Sequence, residues 1–176
     1  TMTAVAFGSE GFNPAQLKSF IVTEELTGTI PLEDYCKSWA ETKPDFKIKV
    51  ELIRKLANVS RVMHSSGMCH RDYYLCHFHL HPSRSQDGEL KISLIDLHRA
   101  LINKRLATRW IVKDIAGLYF SAMDIGLTER DKLRFIQLYT GRPLREAFID
   151  KDGFWASVMS RATKLYAKNN KTQEVL

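Results

Sequence analysis

Two short hydrophobic runs stand near the start of the chain. Residues 4–7 and 18–23 are rich in apolar, β-branched and aromatic side chains and predict two strands. The first strand is expected to stop at Gly8, where Gly-Ser-Glu-Gly begins a turn. Neighbouring strands with one loop between them predict an antiparallel pair, which is marginally stable alone. Residues 24–29 have no hydrophobic period and predict a linker.

Further along, apolar residues recur at every third or fourth position, as on one face of a helix. The longest such helix is predicted over about residues 45–66, with Gly67 as its carboxyl-terminal cap. Its apolar face comprises Leu52, Leu56, Val59 and Met63. The other helices are predicted at about 31–41, 109–124, 128–140, 142–149 and 152–168. Thr128 and Asp131 approximate a capping box for the third of these.

Between the long helix and the later helices, the pattern predicts a β-hairpin. Strands at about 78–80 and 90–95 flank Asp87-Gly88, a strong two-residue turn signal. The chain order is therefore two strands, a linker, two helices, a loop, a hairpin and then helices only.

Composition narrows the class of protein. The chain has 176 residues, of which 44% are hydrophobic, and this suits one domain or one large lobe with a packed core. A formal net charge of +6 favours anionic partners such as phosphates, nucleic acid or an acidic membrane face, without choosing among them. Three cysteines at scattered spacing indicate a reducing compartment. Because the chain opens with no signal peptide and contains no long apolar run, we expect a cytoplasmic protein, soluble or peripheral on a membrane.

The informative motif is His70-Arg71-Asp72, directly after the long helix. A second carboxylate, Asp96, ends the apolar strand of the hairpin. Protein kinases carry His-Arg-Asp followed by Asn in the first place and a metal-binding aspartate in the second. Here the fifth residue after Asp72 is His77 instead of Asn. The order of these motifs predicts an α+β, protein-kinase-like fold.

Phosphoryl transfer needs positioning and charge neutralisation more than covalent chemistry, so these carboxylates have distinct predicted roles. Asp72 is predicted to meet the attacking hydroxyl, with His70 and Arg71 in the same catalytic loop. Asp96 is predicted to hold Mg²⁺, which prefers hard oxygen ligands. His77 is expected beside the metal and nucleotide, where it binds metal weakly or contacts phosphate or Asp72.

Helix residues after Asp96 complete the predicted site. Asp114 is expected to bond back to the catalytic loop, as an aspartate does in kinases. Arg99, Arg109 and Lys113 are predicted to bind acidic sugar or phosphate groups, and the alternative is that they are surface charges. Only 18 positions separate Asp96 from Asp114, which leaves no room for a peptide-docking activation segment and favours a small-molecule acceptor.

Three segments carry a family resemblance. Cys69–Phe78 (CHRDYYLCHF), Leu94–Ala100 (LIDLHRA) and Arg109–Ser121 (RWIVKDIAGLYFS) resemble the lipopolysaccharide core heptose (I) kinase family, and residues 20–35 resemble its hinge region. The histidine at position 77 is part of that resemblance. The resemblance implies ATP- and Mg²⁺-dependent phosphorylation of the 4-hydroxyl of the first heptose, in core oligosaccharide on lipid A, at the cytoplasmic face of the inner membrane. It also implies that the backbone of Glu24, Glu25 and Leu26 meets adenine.

The predicted domain division places a remnant of the amino-terminal lobe and the hinge at 1–28 and the mostly helical carboxyl-terminal lobe at 29–176. No Gly-rich phosphate loop or strand lysine is seen in the sequence. We therefore expect that an amino-terminal part is missing and that the chain alone is inactive.

Alternative functions stay open at this point. The chain could be a kinase of the adjoining octulosonic acid or of a more distal heptose, or a non-catalytic kinase-like binding module. A nucleic-acid module has only the charge in its favour, and we expect no nucleic-acid partner. A zinc site at Cys69, His70, Cys76 and the later histidines is disfavoured because residues on a strand alternate between its faces.

Overall fold

The structure is a computed structural model that describes residues 1–13, 16–149 and 153–173. The strands are β1 (Ala4–Glu10), β2 (Lys18–Thr23), β3 (Ile30–Pro31), β4 (Met68–Cys69), β5 (Phe78–Leu80), β6 (Ile92–Leu94) and β7 (Leu101–Ile102). The helices are α1 (Leu32–Cys36), α2 (Phe46–Ser65), α3 (Thr108–Ser121), α4 (Glu129–Thr140), α5 (Leu144–Ala147) and α6 (Phe154–Gln173). Mixed strands and helices in this order confirm the predicted α+β class.

Strands β1 and β2 form the predicted antiparallel pair. The expectation that β1 stops at Gly8 is wrong, because pairing continues from Gly8, opposite Phe20, to Glu10, opposite Lys18. A Cβ built at Gly8 would lie 2.6 Å from the Phe20 ring. The glycine therefore makes room for an aromatic neighbour within the strand and does not end it.

The predicted hairpin is present as β5 and β6, and β3 adds a third strand to its β5 edge. Ile30 pairs with Leu80 and Pro31 with His79, so Pro31 is strand where the start of a helix was predicted. The helix predicted over 31–41 is also too long, because α1 ends at Cys36. The backbone N–H of Trp39 then donates to the carbonyl of Cys36, which closes a tighter turn.

Local sequence signals fix both ends of the long helices. Asp45 caps α2 by accepting hydrogen bonds from the backbone N–H groups of Lys47 and Ile48. Gly67 follows α2 in the left-handed region, at φ +83°. At the start of α4 the predicted capping box is present, formed by Thr128 and Asp131. The predicted start of the last helix at 152 lies outside the described residues.

Two apolar clusters pack against α3, one joining it to α2 and the loop that follows α2, and the other joining it to α6. In the first, Leu52 of α2 and Phe78 of β5 are buried together with Leu118 of α3. In the second, Ala116 of α3 packs against Val158 and Ala162 of α6. Because α3 belongs to both clusters, it forms a rigid support beside the loop 70–77. Within the described residues, no helix combines the length and apolar character needed to cross a bilayer.

Candidate active site

The loop 70–77 is clamped to α3 by one buried carboxylate. Asp114, with no exposed surface, accepts hydrogen bonds from the backbone N–H groups of His70 (2.7 Å) and Arg71 (2.8 Å). Arg71 has φ 74°, a left-handed conformation that costs free energy for a residue with a side chain. The two bonds to Asp114 hold this strained turn in place just before Asp72. Leu75 is held similarly, because its N–H donates to the Ser121 hydroxyl at 3.0 Å.

A buried polar chain that the sequence analysis did not find continues behind Asp114. His64 Nε2 lies 3.3 Å from Asp114 Oδ2, and His64 Nδ1 lies 2.9 Å from the hydroxyl of Tyr139 on α4. Burial, followed by the nearby charge of Asp114, raises the pKa of Tyr139, so its hydroxyl keeps the proton and bonds to Nδ1. Because a carboxylate can only accept, Nε2 of His64 donates to Asp114.

The same face of α2 contacts the loop at a second point. One turn before His64, Ser60 donates to the carbonyl of Leu56 at 2.7 Å and therefore accepts from the hydroxyl of Tyr73, at 2.9 Å. Ser60 and His64 are polar residues four positions apart on the inward face of α2. This spacing is the sequence signal that could have revealed their contacts with the loop and with Asp114.

The loop that carries Asp96 is tied to the loop that carries Asp72. His70, fully buried, places Nε2 2.8 Å from the carbonyl oxygen of Ile95, and the N–H of Ile95 donates to the carbonyl of His77 at 3.0 Å. Asp96 itself lies in the left-handed region at φ 62°. These bonds bring the end of β6 to the catalytic loop.

Asp72 and Asp96 meet at one imidazole. Nδ1 of His77 is 2.6 Å from the backbone carbonyl oxygen of Asp72, and Nε2 is 3.5 Å from Oδ2 of Asp96. The second oxygen of Asp96 contacts Nδ1 of His98. The two aspartates therefore lie at the same end of the lobe, and the Asp96 side chain is 38% exposed.

Two predicted acceptor-binding cations contact Asp72. Nη1 of Arg99 lies 2.9 Å and 3.1 Å from the two oxygens of Asp72, and Nζ of Lys113 lies 3.7 Å from Oδ1. Arg99 is only three residues beyond Asp96. Tyr74 stands beside them, where burial and then the charge of Asp72 raise the pKa of its hydroxyl. The Tyr74 hydroxyl therefore keeps its proton and can donate a hydrogen bond.

The third predicted cation, Arg109, lies on an aromatic ring. Its guanidinium carbon is 5.2 Å from the centre of Trp110, and that of Arg71 is 5.0 Å from the same ring. Nε of Arg71 is buried and has no hydrogen-bond partner among the described residues. A guanidinium fork with an unused N–H suits a carboxylate or phosphate group.

The predicted adenine segment follows β2 directly. The backbone N–H of Glu24 donates to the carbonyl of Thr3 at 2.9 Å, and Glu25 is exposed. The carbonyl of Leu26 accepts from the hydroxyl of Thr29 at 3.4 Å. The segment thus connects the β1–β2 pair to β3.

The side chains near Asp96 suit a metal ion that binds together with a nucleotide. Among the described residues there is no group of three or more His, Cys, Asp or Glu side chains placed to hold a metal ion. Mg²⁺ is commonly bound by one or two carboxylates together with substrate phosphates. The partly exposed carboxylate of Asp96 fits this use.

A separate apolar cavity of about 320 Å³ opens between α1, α2, α3, α4 and α6. Its wall includes Leu32, Leu52, Leu118, Leu127, Phe135 and Val158. Cys36 also lines it, and burial raises the pKa of that thiol to about 12. Sequence patterning treats all of these residues as core, so it does not reveal the space between them.

Sequence comparison identifies the family. Residues 1–139 match the lipopolysaccharide kinase (Kdo/WaaP) family. The chain belongs to this family.

Similar proteins include the lipopolysaccharide core heptose(I) kinases WaaP of Escherichia coli and Pseudomonas aeruginosa. The E. coli relative is 49% identical over 166 residues, which are 94% of this chain and 63% of the relative. The P. aeruginosa relative is 46% identical over all of this chain and 66% of its own length. The chain therefore spans about two thirds of the length of these relatives or less.

Structural comparison supports the kinase-like fold. A solved structure described as WaaP in complex with acyl carrier protein has a TM-score of 0.86 and is 48% identical. It covers 94% of this chain, and this chain covers 69% of it. The predicted protein-kinase-like fold is thus confirmed, while the division at residue 28 stays a prediction.

Proposed function

We propose that this chain carries the phosphotransfer site of a sugar kinase that uses ATP to phosphorylate the 4-hydroxyl of the first heptose in the lipopolysaccharide inner core. The main observation in support is that His77 contacts both the backbone of Asp72 and the carboxylate of Asp96. The names of the relatives supply the substrate class. A kinase for the adjoining octulosonic acid or for a more distal heptose is the alternative acceptor assignment.

In this proposal Asp72 accepts the hydrogen bond, and then the proton, of the attacking sugar hydroxyl. The oxygen of that hydroxyl forms a bond to the γ-phosphorus, and the bond between phosphorus and the ADP oxygen breaks. The clamp of Asp114 on His70 and Arg71 fixes the loop so that the carboxylate needs no rearrangement during the reaction.

Asp96 would hold the magnesium ion that accompanies ATP. A magnesium ion bound there supplies positive charge that balances the nucleotide phosphates. The backbone of Glu24, Glu25 and Leu26 would meet adenine, because it follows β2 in the position of a hinge.

The cations around Asp72 have two proposed roles. Arg99 and Lys113 orient the carboxylate of Asp72, and they add positive charge where the transferred phosphoryl group passes. Arg71 and Arg109, on Trp110, would receive acidic groups of the core oligosaccharide. An acceptor on lipid A also places the protein at the cytoplasmic face of the inner membrane, in peripheral contact with it.

The test replaces Asp72 with Asn in the protein expressed from its complete reading frame. With ATP, Mg²⁺ and heptose-containing core acceptor, we expect kcat to fall by about 10²–10⁴-fold, as expected for loss of a general base. ATP binding should persist, and Asp87→Asn in the exposed hairpin turn serves as the matched control. Near-normal turnover in Asp72→Asn would remove the proposed role. If the wild-type protein transferred phosphoryl groups only to acceptors without heptose, the proposed substrate would be wrong. If it showed no magnesium-dependent transfer at all, a non-catalytic binding module would be favoured.

A second function is supported by the cavity. We propose that the chain also binds an acylated acyl carrier protein, because a structure so similar is a complex with that protein and because the wall of the cavity is mostly apolar. Ala122→Phe should fill part of the space and weaken binding of acylated carrier protein, with little effect on the unacylated form. Equal binding of both forms by the wild-type protein would argue against the cavity as the acyl site.

A further inference from the structure

The catalytic loop lies along one face of α3. Positions 110, 113, 117 and 121 follow each other at steps of three and four, so they share a single face of the helix. Each position contacts a different loop residue, and those loop residues follow in chain order. The pairs are Trp110 with Arg71, Lys113 with Asp72, Gly117 with Tyr74, and Ser121 with Leu75. An acceptor whose hydroxyl reaches Asp72 therefore has positions along α3 on both sides of that carboxylate.

Tyr74 occupies the position beyond Asp72 on this face. A Cβ built at Gly117 would lie 3.2 Å from a carbon of the Tyr74 ring, so the glycine provides the space in which the ring lies. The ring also meets Phe120 edge-on, with centres 6.2 Å apart. These contacts hold the ring between the loop and α3. Its hydroxyl makes no hydrogen bond with any residue that the structure describes.

Arg161 brings a cation to Tyr74 from α6. The next residue, Ala162, is buried in one cluster with Ala116 of α3, so this turn of α6 packs beside the part of α3 that holds the Tyr74 ring. Burial and then the charge of Asp72 raise the pKa of Tyr74, and Arg161 is the first of the charges that lower it. Arg161 is exposed, and no carboxylate in the described part of the chain forms an ion pair with it.

A phenol hydroxyl and an unpaired guanidinium together suit an anion that accepts from both. Both groups donate at neutral pH, because the ordinary pKa of a phenol is about 10 and an arginine keeps its charge. Guanidinium groups bind carboxylates with paired N–H groups. The single positive charge here balances a carboxylate, whereas a phosphate dianion would require a second cation for the same balance.

We infer that Tyr74 and Arg161 bind the carboxylate of the acidic sugar that adjoins the phosphorylated heptose. The carboxylate then lies on the α6 side of Asp72, and Arg71 and Arg109 lie on the opposite side. The inference rests on the proposed kinase function and deepens it, because it fixes the direction in which the acceptor lies along α3.

The test compares two soluble, unphosphorylated core oligosaccharides, one with the carboxylate intact and one in which it is reduced to a primary alcohol. Steady-state kinetics are measured with the full-length protein. With the intact acceptor, Arg161→Gln should raise the acceptor KM about tenfold and Tyr74→Phe about threefold, with the KM for ATP unchanged, because each variant loses a hydrogen bond to a charged group. In the wild-type protein, reduction of the carboxylate should also raise the acceptor KM about tenfold. Arg161→Gln should add little to that effect, because both changes remove the same contact.

Arg130→Gln is the matched control, because it makes the same chemical change in an exposed arginine away from the loop. Arg130 precedes Asp131, which pairs with Lys49 in the first turn of α2. The catalytic loop follows the other end of α2, which has 20 residues and is about 30 Å long. Arg130→Gln should therefore keep the wild-type acceptor KM with both oligosaccharides.

Two results would overturn the inference. The first is an equal effect of Arg161→Gln on the intact and the reduced acceptor, or no effect on either. The second is a dependence on the carboxylate that is lost in Arg109→Gln and kept in Arg161→Gln, which would place the carboxylate on the opposite side of Asp72. Failure of the wild-type protein to phosphorylate either acceptor would instead count against the proposed function. Calorimetric binding then tests the inference separately, since the wild-type protein should bind the intact acceptor more tightly than the reduced one and Arg161→Gln should bind both equally.

Discussion

The buried chain from Tyr139 through His64 to Asp114 yields a prediction whose size can be worked out. Tyr139→Phe removes one hydroxyl and nothing else. It leaves Nδ1 of His64 without its hydrogen-bond partner at 2.9 Å, in a residue that is only 7% exposed. An unsatisfied buried polar group costs about 1–3 kcal/mol of folding free energy. Because Tyr139 is partly exposed, we expect the lower part of this range, about 1–2 kcal/mol, for Tyr139→Phe.

Urea denaturation of the full-length protein measures this loss as a lower midpoint at unchanged slope. The matched control is Tyr35→Phe, since the Tyr35 ring packs edge-on against Trp39 and its hydroxyl has no hydrogen bond with described residues. Hydrogen exchange provides the second assay. If the chain supports the catalytic loop, the amides of His70 and Arg71 should exchange about 5- to 30-fold faster in Tyr139→Phe, the factor that corresponds to 1–2 kcal/mol.

Two results would refute the reasoning. The first is a Tyr139→Phe protein no less stable than Tyr35→Phe. The second is unchanged exchange at His70 and Arg71 despite a loss of stability, which would mean that the bond stabilises the helices without reaching the loop. A double mutant of Tyr139→Phe with His64→Leu should also show a coupling energy of about 1 kcal/mol.

Other parts of the chain give predictions of known direction. Arg99→Ala should lower kcat more than it changes the KM for ATP or acceptor, because Arg99 contacts Asp72. Arg109→Ala should instead raise the acceptor KM. If steady-state kinetics showed the acceptor KM effect in Arg99→Ala and the kcat effect in Arg109→Ala, the two roles would be exchanged. Gly67→Ala should lower the free energy of unfolding by at least about 1 kcal/mol, since φ is +83° and the new Cβ would meet a backbone oxygen at 2.4 Å; an unchanged Tm would contradict this. Burial raises the pKa of Asp131. Hydrogen bonds from Lys49 and from the capping Thr128 outweigh this effect and hold the pKa below its ordinary value. Its contribution to stability is therefore present above the ordinary aspartate pKa and lost as pH falls toward the lower folded value, and Lys49→Met should flatten this acid dependence in pH-resolved denaturation.

Local sequence rules predicted the elements that depend on local interactions. The end of α2 at Gly67, the capping box at Thr128 and the β5–β6 hairpin each arise within a few residues, so a short window contains their physical cause. The rules did not predict β3, because Ile30 and Pro31 become a strand only through pairing with β5, about 50 positions away. They also misjudged Gly8, whose role depends on the ring of Phe20 across the sheet.

The same distinction holds for the candidate site. The motif around Asp72 and the strand end at Asp96 can be recognised in the sequence because each directly follows the helix or strand that identifies it. The partners of His64 are not, since Tyr139 lies 75 positions away and only the packing of α2 against α4 brings them together. Likewise, no sequence rule places Arg99 on Asp72, because that contact requires the backbone of Asp96 to turn through a left-handed conformation.

The arrangement of charges explains how two carboxylates can share one end of the lobe. Side by side, Asp72 and Asp96 would repel each other, and a shared proton would leave one of them neutral. The chain places Arg99 and Lys113 beside Asp72, and the imidazoles of His77 and His98 beside Asp96. Each carboxylate therefore has its own polar partners before any ligand binds. Because Arg99 follows Asp96 by three residues, one short turn joins the proposed metal-binding carboxylate to the partner of Asp72, and we expect the two halves of the proposed phosphotransfer site to be coupled through it.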